Sequence, residues 1–235
     1  MTSAAERMAR AFDALSGDYD DAHHDMIASE LTDWLAPTHD EAVADVACGT
    51  GAVALAVARR RQEPRPATPV LAIDLSAGMV AAGQARAERA AVAGSIDWRV
   101  GPAVPLPVAD DSLDLVLCAS SLHFLGSAAL ADWRRAVRPG GRIGFSLPLA
   151  SGFRPGGVFA DLVAADLALP GTAGDAVRLA GTAGLAAPAA RELRLGARAV
   201  VLVRGTVPGA PGRDAVATAA GEPLLSHSPA PLGSS

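Results

Sequence analysis

Aromatic side chains make up only 4% of this 235-residue chain, and it contains two cysteines. It also has no run of about 18 uninterrupted apolar residues, the length that would suggest a membrane span. Each scarcity excludes something. With half the residues hydrophobic and much of that share alanine, a core poor in rings must be built from small side chains, which favours helices packed closely against a sheet. Cys48 and Cys118 lack C-x-x-C or Cys/His spacing, so they read as free thiols in a reducing compartment and not as a metal site or a disulfide. The N-terminal stretch MTSAAERMARAFDALSG interleaves charge with apolar residues and has no unbroken apolar core of a signal peptide. A cytoplasmic protein with no membrane partner is expected. Positive charge is in deficit as well: the formal net charge is -5 and the pI near 5.5, which gives no general attraction to nucleic acid. No internal repeat is visible.

What is present is an alternating pattern. Met8, Ala11, Phe12 and Leu15 fall at helical spacing, and a second helix is expected over about 19–35, closed by Pro37. Strands are expected near 42–47, 69–74, 95–100, 113–119 and 141–147, with helices near 52–62, 76–92 and 127–137 between them. This βα alternation signals a mostly parallel sheet. SIDWRV mixes polar and apolar residues as an edge strand does, whereas LDLVLCA is almost continuously apolar and reads as a central strand. Residues 156–184 look helical but interrupted, and RELRLGARAVVLVRGTV holds two β-like runs joined too tightly for anything but an antiparallel hairpin. The organisation expected is 1–37 as N-terminal lid helices, 38–207 as one α/β domain, and 208–235, rich in Pro, Gly, Ala and Ser, as a disordered tail.

The chemistry centres on DVACGTGAVALAVARR, residues 45–60. From Gly49 the letters satisfy G-x-G-x-x-A, a loose dinucleotide fingerprint. A glycine turn before a helix N-terminus serves pyrophosphates and carboxylates alike, because both exploit close backbone approach and unsatisfied N–H groups. Two acids separate these options. Asp45 precedes the turn and suits an ammonium better than a diphosphate. Asp74 ends the second strand, where a carboxylate can accept both hydroxyls of a ribose.

At these residues the chain resembles the class I S-adenosylmethionine-dependent methyltransferases. VADVACGTG is similar to their first motif and LAIDLSAGMVAAGQAR to their second. WRVGPAVPLPVADDSLDLVLCASSLHFL resembles the stretch through the third and fourth strands, and WRRAVRPGGRIGFS the entry to the fifth. AFDALSGDYD is similar to the lead-in helices of the branch that includes ubiquinone and menaquinone biosynthesis methyltransferases. The resemblance covers roughly residues 8–207. It implies a Rossmann-like α/β fold with a seven-stranded sheet in the order 3-2-1-4-5-7-6, the seventh strand antiparallel, and helices on both faces. It further implies that the methionine end of S-adenosylmethionine lies against Asp45, Ala47, Cys48, Gly49 and Gly51, the ribose on Asp74, and the adenine beside Leu75 and Met79. Pro102 stands where the family often has an acid for the adenine amino group, so that contact is lost, while Ala103 can still offer its backbone N–H. Ala119 and Ser120 would lie under the methionyl group, and Tyr19 would close over it.

Methyl transfer from a sulfonium needs alignment and dryness, and a base only if the acceptor must lose a proton. The base candidates are His123, after the fourth strand, and His24 or its neighbour His23 on the second helix. DYDDAHHD reads as solvated acids, with no metal assigned. Phe12, Tyr19, Met26, Phe124, Leu147 and Phe153 are expected to border a small, partly apolar acceptor. CASS after the fourth strand lacks the Asn/Asp-Pro-Pro-aromatic sequence of amino-methylating nucleic-acid enzymes, which adds to the case against DNA or RNA. The sequence is compatible with a homodimer. Two other readings stay open: a protein of this fold that binds the cofactor or a metabolite without methylating it, and a nicotinamide-dependent oxidoreductase using the same glycine loop.

Overall fold

The computed structural model describes residues 3–17, 19, 21–61, 68–196 and 198–209. The segment expected to form a tail lies almost wholly outside these residues. Two helices, α1 (Ala4–Leu15) and α2 (Asp21–Leu35), lead into β1 (Val43–Val46), α3 (Ala52–Arg60), β2 (Val70–Asp74), α4 (Ala77–Arg89) and β3 (Ile96–Val100). Then follow β4 (Leu113–Cys118), α5 (Leu122–Leu125), α6 (Ala128–Ala136), β5 (Val137–Pro148), α7 (Ala173–Thr182), β6 (Ala186–Leu195) and β7 (Arg198–Thr206). The seven strands form one sheet in the order β3-β2-β1-β4-β5-β7-β6. β1 to β5 pair in parallel, and β7 runs antiparallel to both β5 and β6.

Burial follows the polar pattern read along each strand. β4 lies mid-sheet with Leu115, Val116, Leu117 and Cys118 fully buried, while β3, at one edge, exposes Arg99 and Val100. One face of the sheet packs on α5, α6 and α7 around Trp133, whose indole donates to the Ala103 carbonyl at 3.2 Å. The other face packs on α2 and α3.

The two N-terminal helices differ in kind. α2 sends Ile27, Ala28, Leu31 and Leu35 into the core, so it belongs to the helical layer over the sheet. α1 has a capping box, with Ser3 Oγ accepting from Glu6 N at 3.2 Å and Ser3 N donating to the Glu6 carboxylate at 2.8 Å, but it buries no residue.

Three boundaries depart from the pattern. β5 begins at Val137, four residues ahead of the expected start, because the RPGG turn is absorbed into the strand by a register shift opposite Leu113 and Leu115. Between 156 and 184 only α7 and a short 3-10 turn over Gly157–Leu162 form, and within LPGTAGD Thr172 and Asp175 build the capping box that starts α7. β6 reaches back to Ala186, where a second irregularity lets Ala186 and Ala189 pair despite Pro188.

Among the described residues, no helix is long and apolar enough to cross a membrane.

Candidate functional site

At the carboxyl end of β1 the backbone turns through left-handed conformations at Ala47 (φ 52°), Gly49 (φ 54°) and Gly51 (φ 79°), then enters α3. Left-handed geometry is costly for a residue with a Cβ, so Ala47 is held against its preference. The loop is fixed by Cys48 N donating to the Ile73 carbonyl (3.0 Å), Gly51 N donating to the Cys48 carbonyl (2.8 Å), and Ser121 Oγ donating to the Ala47 carbonyl (3.2 Å).

The two glycines have different reasons to lack a side chain. A Cβ on Gly49 would meet nothing within 4 Å, whereas one on Gly51 would sit 2.2 Å from Cη2 of the Trp98 ring on β3. The same ring would crowd a Cβ on Gly83 of α4 at 2.5 Å. Gly49 thus leaves backbone bare beside an open cleft, and Gly51 makes room for an indole behind the loop.

Two carboxylates stand at this loop. Asp45 is only 1% exposed, and its Oδ2 accepts from Ala54 N of α3 at 2.9 Å. Burial, reinforced by the nearby Asp74 charge and opposed by that hydrogen bond, pushes its pKa up to about 8. Asp74 accepts from Gly49 N through Oδ2 (2.8 Å) and from Ser76 N through Oδ1 (2.9 Å). Its pKa is also raised by burial, against the pull of those backbone donors. The capping of α4 falls to Ser76, whose Oγ accepts from Met79 N at 3.0 Å, so the Asp74 carboxylate is directed to the glycine loop. Burial drives the Cys48 and Cys118 thiols upward, away from thiolate chemistry.

Both leading helices are tied to this region. Asp13 of α1 accepts from Ser76 Oγ and from Gly78 N (2.9 Å), which holds its own carboxyl below the usual range. Arg86 of α4 donates through Nη2 to both carboxylate oxygens of Asp25 of α2 at 2.7 Å, and through Nη1 to the Thr50 hydroxyl at 2.9 Å. That guanidinium connects α2, α4 and the glycine loop.

The resulting cleft is narrow, with a free volume of about 50 Å³. Of the residues expected at the cofactor, Tyr19, Asp45, Ala47, Cys48, Gly49, Asp74, Leu75, Ala103 and Ala119 line it. Four do not. Gly51 backs onto Trp98, Met79 is fully buried in the first turn of α4, Pro102 lies off the cleft, and Ser120 borders a neighbouring groove. Met8, Thr50, Val53 and Leu125 line it without having been singled out. Periodicity marks Met8 as one of α1's apolar positions, but not which surface it meets.

The neighbouring groove is bounded by α1, α2, the segment after β5 and the start of β7. Phe12, Tyr19, Phe124 and Phe153 border it as expected, joined by Phe159. Met26 and Leu147 do not: Met26 is 49% exposed on the far side of α2, and Leu147 is fully buried in the core. His23 and His24 both face the groove, which a helix permits because adjacent residues diverge by only about 100°. His24 Nε2 lies 3.0 Å from the Tyr19 hydroxyl, with the rings stacked. His123 is 5% exposed between Phe124 and Phe153, its Nδ1 makes no hydrogen bond among the described residues, and burial lowers its pKa to about 4. Phe12, Tyr19, His24, Ser121 and Phe124 border cleft and groove alike.

A parallel sheet with this reversed last strand, a glycine loop after β1 and an acid ending β2 agree with the fold expected from the sequence. Residues 43–141 match the family model described as a methyltransferase domain. The chain is 35% identical over 122 residues to the ubiquinone/menaquinone biosynthesis C-methyltransferase UbiE of Dinoroseobacter shibae, a match covering 51% of this chain and 47% of that enzyme. The chain therefore spans about half the length of the curated relatives it matches. Among solved structures it shares its fold with the [4+2]-cyclase SpnF (TM-score 0.60, 18% identity, 79% of this chain and 82% of that one). It also shares it with geranyl diphosphate C-methyltransferase from Streptomyces coelicolor A3(2) (TM-score 0.57, 17% identity, 76% and 77%).

Proposed function

We propose that this protein transfers a methyl group from S-adenosylmethionine to an O, N or C atom of a small, partly apolar metabolite. The observation that carries the reading is the meeting of the acid-lined cleft with the aromatic groove at Tyr19 and His24. The chemistry of three residues supports the cofactor: Gly49 offers bare backbone, Asp45 a buried acid for an ammonium, and Asp74 an acid for ribose hydroxyls. When bound, S-adenosylmethionine supplies an electrophilic methyl group on a positively charged sulfur.

The remaining work belongs to this chain. In this reading Ala103 and Leu75 take the adenine, and Ala119 and Ser121, the latter bordering cleft and groove alike, take the methionyl end. Phe12 and Phe124 exclude water at the junction, which favours a displacement that loses charge. His24, hydrogen-bonded to Tyr19, stands where an acceptor proton would leave. His123 is neutral at physiological pH and too weakly basic to keep a proton, so its part is to orient the acceptor through a ring nitrogen.

Similarity to a C-methyltransferase makes carbon the first acceptor atom to test. The acidic overall balance favours a small metabolite over nucleic acid, and a cytoplasmic setting accords with it. The experiment is incubation with S-adenosylmethionine and a panel of phenols, enols and amines, following S-adenosylhomocysteine. Its formation with one acceptor class supports the reading.

A second reading is favoured by two features: the third-motif acid is replaced by Pro102, and the fold is shared with a cyclase. Under it the protein binds the cofactor without methylating. Tight S-adenosylhomocysteine binding with no turnover across the panel would select it, and tight binding of NADH alone would overturn both.

A further inference from the structure

The groove beside the cofactor cleft carries a charge pattern opposite to that of the chain. The sequence has 25 acidic and 20 basic residues, and with no lysine present every basic one is an arginine. Among the described residues, the groove is lined by Arg154 and Arg198 and by no carboxylate. Arg154 donates to the carbonyls of Ala150 (3.3 Å) and Phe153 (2.8 Å), which orient its guanidinium without neutralising it. Arg198, at the start of β7, pairs with Leu195 through its backbone, and its guanidinium forms no hydrogen bond or ion pair with the described residues.

The body of the groove is aromatic. Phe12 meets Phe124 and Phe159 edge-on at centroid distances of 5.7 and 5.3 Å, and Phe153 meets the His123 ring at 4.9 Å. Aromatic faces alone would also accept a cation. Two guanidiniums without carboxylate partners reverse that preference, because an ammonium would meet like charge with nothing to offset it. A guanidinium presents donors in a fork that matches carboxylate or phosphate oxygens.

We propose that the methyl acceptor is an anion: an aromatic or similarly apolar body bearing a carboxylate or phosphate. Arg154 and Arg198 hold the charged group at the mouth of the groove, the phenylalanines hold the body, and the accepting atom points toward Tyr19 and His24. This inference rests on the methyltransferase reading and adds the class of substrate. It excludes cationic amines.

The test uses the full chain loaded with S-adenosylhomocysteine and calorimetric titration with four probes: 4-hydroxycinnamate, its neutral carboxamide, phenyl phosphate and tyramine. At least one of the two anions should bind about tenfold or more tighter than the carboxamide and tyramine, and the better anion identifies the group. Each exposed arginine should contribute roughly three- to tenfold, so Arg154→Gln with Arg198→Gln should abolish the preference while leaving carboxamide and S-adenosylhomocysteine affinities unchanged. Equal or tighter binding of the carboxamide or tyramine overturns the proposal, as does a preference that survives in the double variant. Absence of binding by both anions overturns it too. Failure to bind S-adenosylhomocysteine instead overturns the function proposed above, so the two failures are told apart.

Discussion

Replacing Gly51 by alanine tests the account of the glycine loop more sharply than any change to an acid. At φ 79° an alanine incurs about 1–2 kcal/mol of left-handed strain. Its methyl would also lie 2.2 Å from the Trp98 ring, an overpacking that typically costs about 1–3 kcal/mol. The sum is about 2–5 kcal/mol, which in a chain of this size lowers the melting temperature by roughly 4–20 °C. In a Trp98→Ala background the steric part disappears and only the strain of about 1–2 kcal/mol remains, so the two changes should show a coupling of about 1–3 kcal/mol. Gly49→Ala supplies the contrast. Its methyl meets no neighbour, so stability falls by about 1–2 kcal/mol from φ alone, while the group protrudes into the cleft and weakens S-adenosylhomocysteine binding more than tenfold. Denaturant unfolding and calorimetric binding on the parent and the four variants give both readouts. Equal costs for Gly51→Ala in the two backgrounds, or a Gly49→Ala protein that binds normally, would refute the reasoning.

Further expectations concern the acids and the groove. Asp74→Ala should weaken S-adenosylhomocysteine by about 1–3 kcal/mol in a folded protein, and unchanged affinity would remove Asp74 from the ribose role. With its pKa near 8, Asp45 is mostly protonated at pH 7 and must ionise to face an ammonium. Binding should therefore release a proton and tighten from pH 6 to 8, measurable by calorimetry in buffers of different ionisation enthalpy; proton uptake would contradict this. The same raised pKa makes Asp45 destabilising as the pH climbs from about 4 to 8, because the unfolded carboxyl has already lost its proton while the folded one keeps it. Asp45→Asn should flatten that part of the stability profile. His123→Gln should leave the shape of the pH–rate profile between 6 and 9 unchanged, since a group with pKa near 4 does not titrate there.

Much of the sheet could be read from the chain because strand burial is a periodic property: the mixed SIDWRV became the edge and the apolar LDLVLCA the middle. Asp45 and Asp74 were legible because they sit at strand ends, where position along the chain determines position in space. The parts that depend on distant pairs were not. Nothing local says that Trp98 packs on both Gly51 and Gly83, or that Arg86 joins Asp25 to Thr50. Phe159 escaped notice because the segment after β5 has no repeating pattern to orient it. Met26 was misplaced for a different reason. It is apolar, but on α2 the core-facing row is Ile27, Ala28 and Leu31, which leaves Met26 on the outside.

The attachment of α1 has a consequence for how the site holds its contents. With no buried residue, the helix is fastened by Asp13 at the start of α4 and by Phe12 against Phe124 and Phe159, and adds little to the core of the sheet. Met8, Ala9 and Phe12 nevertheless form part of the cleft wall, so a filled cleft favours the docked helix. By linkage, whatever the occupant contributes to docking α1 is returned as its own affinity.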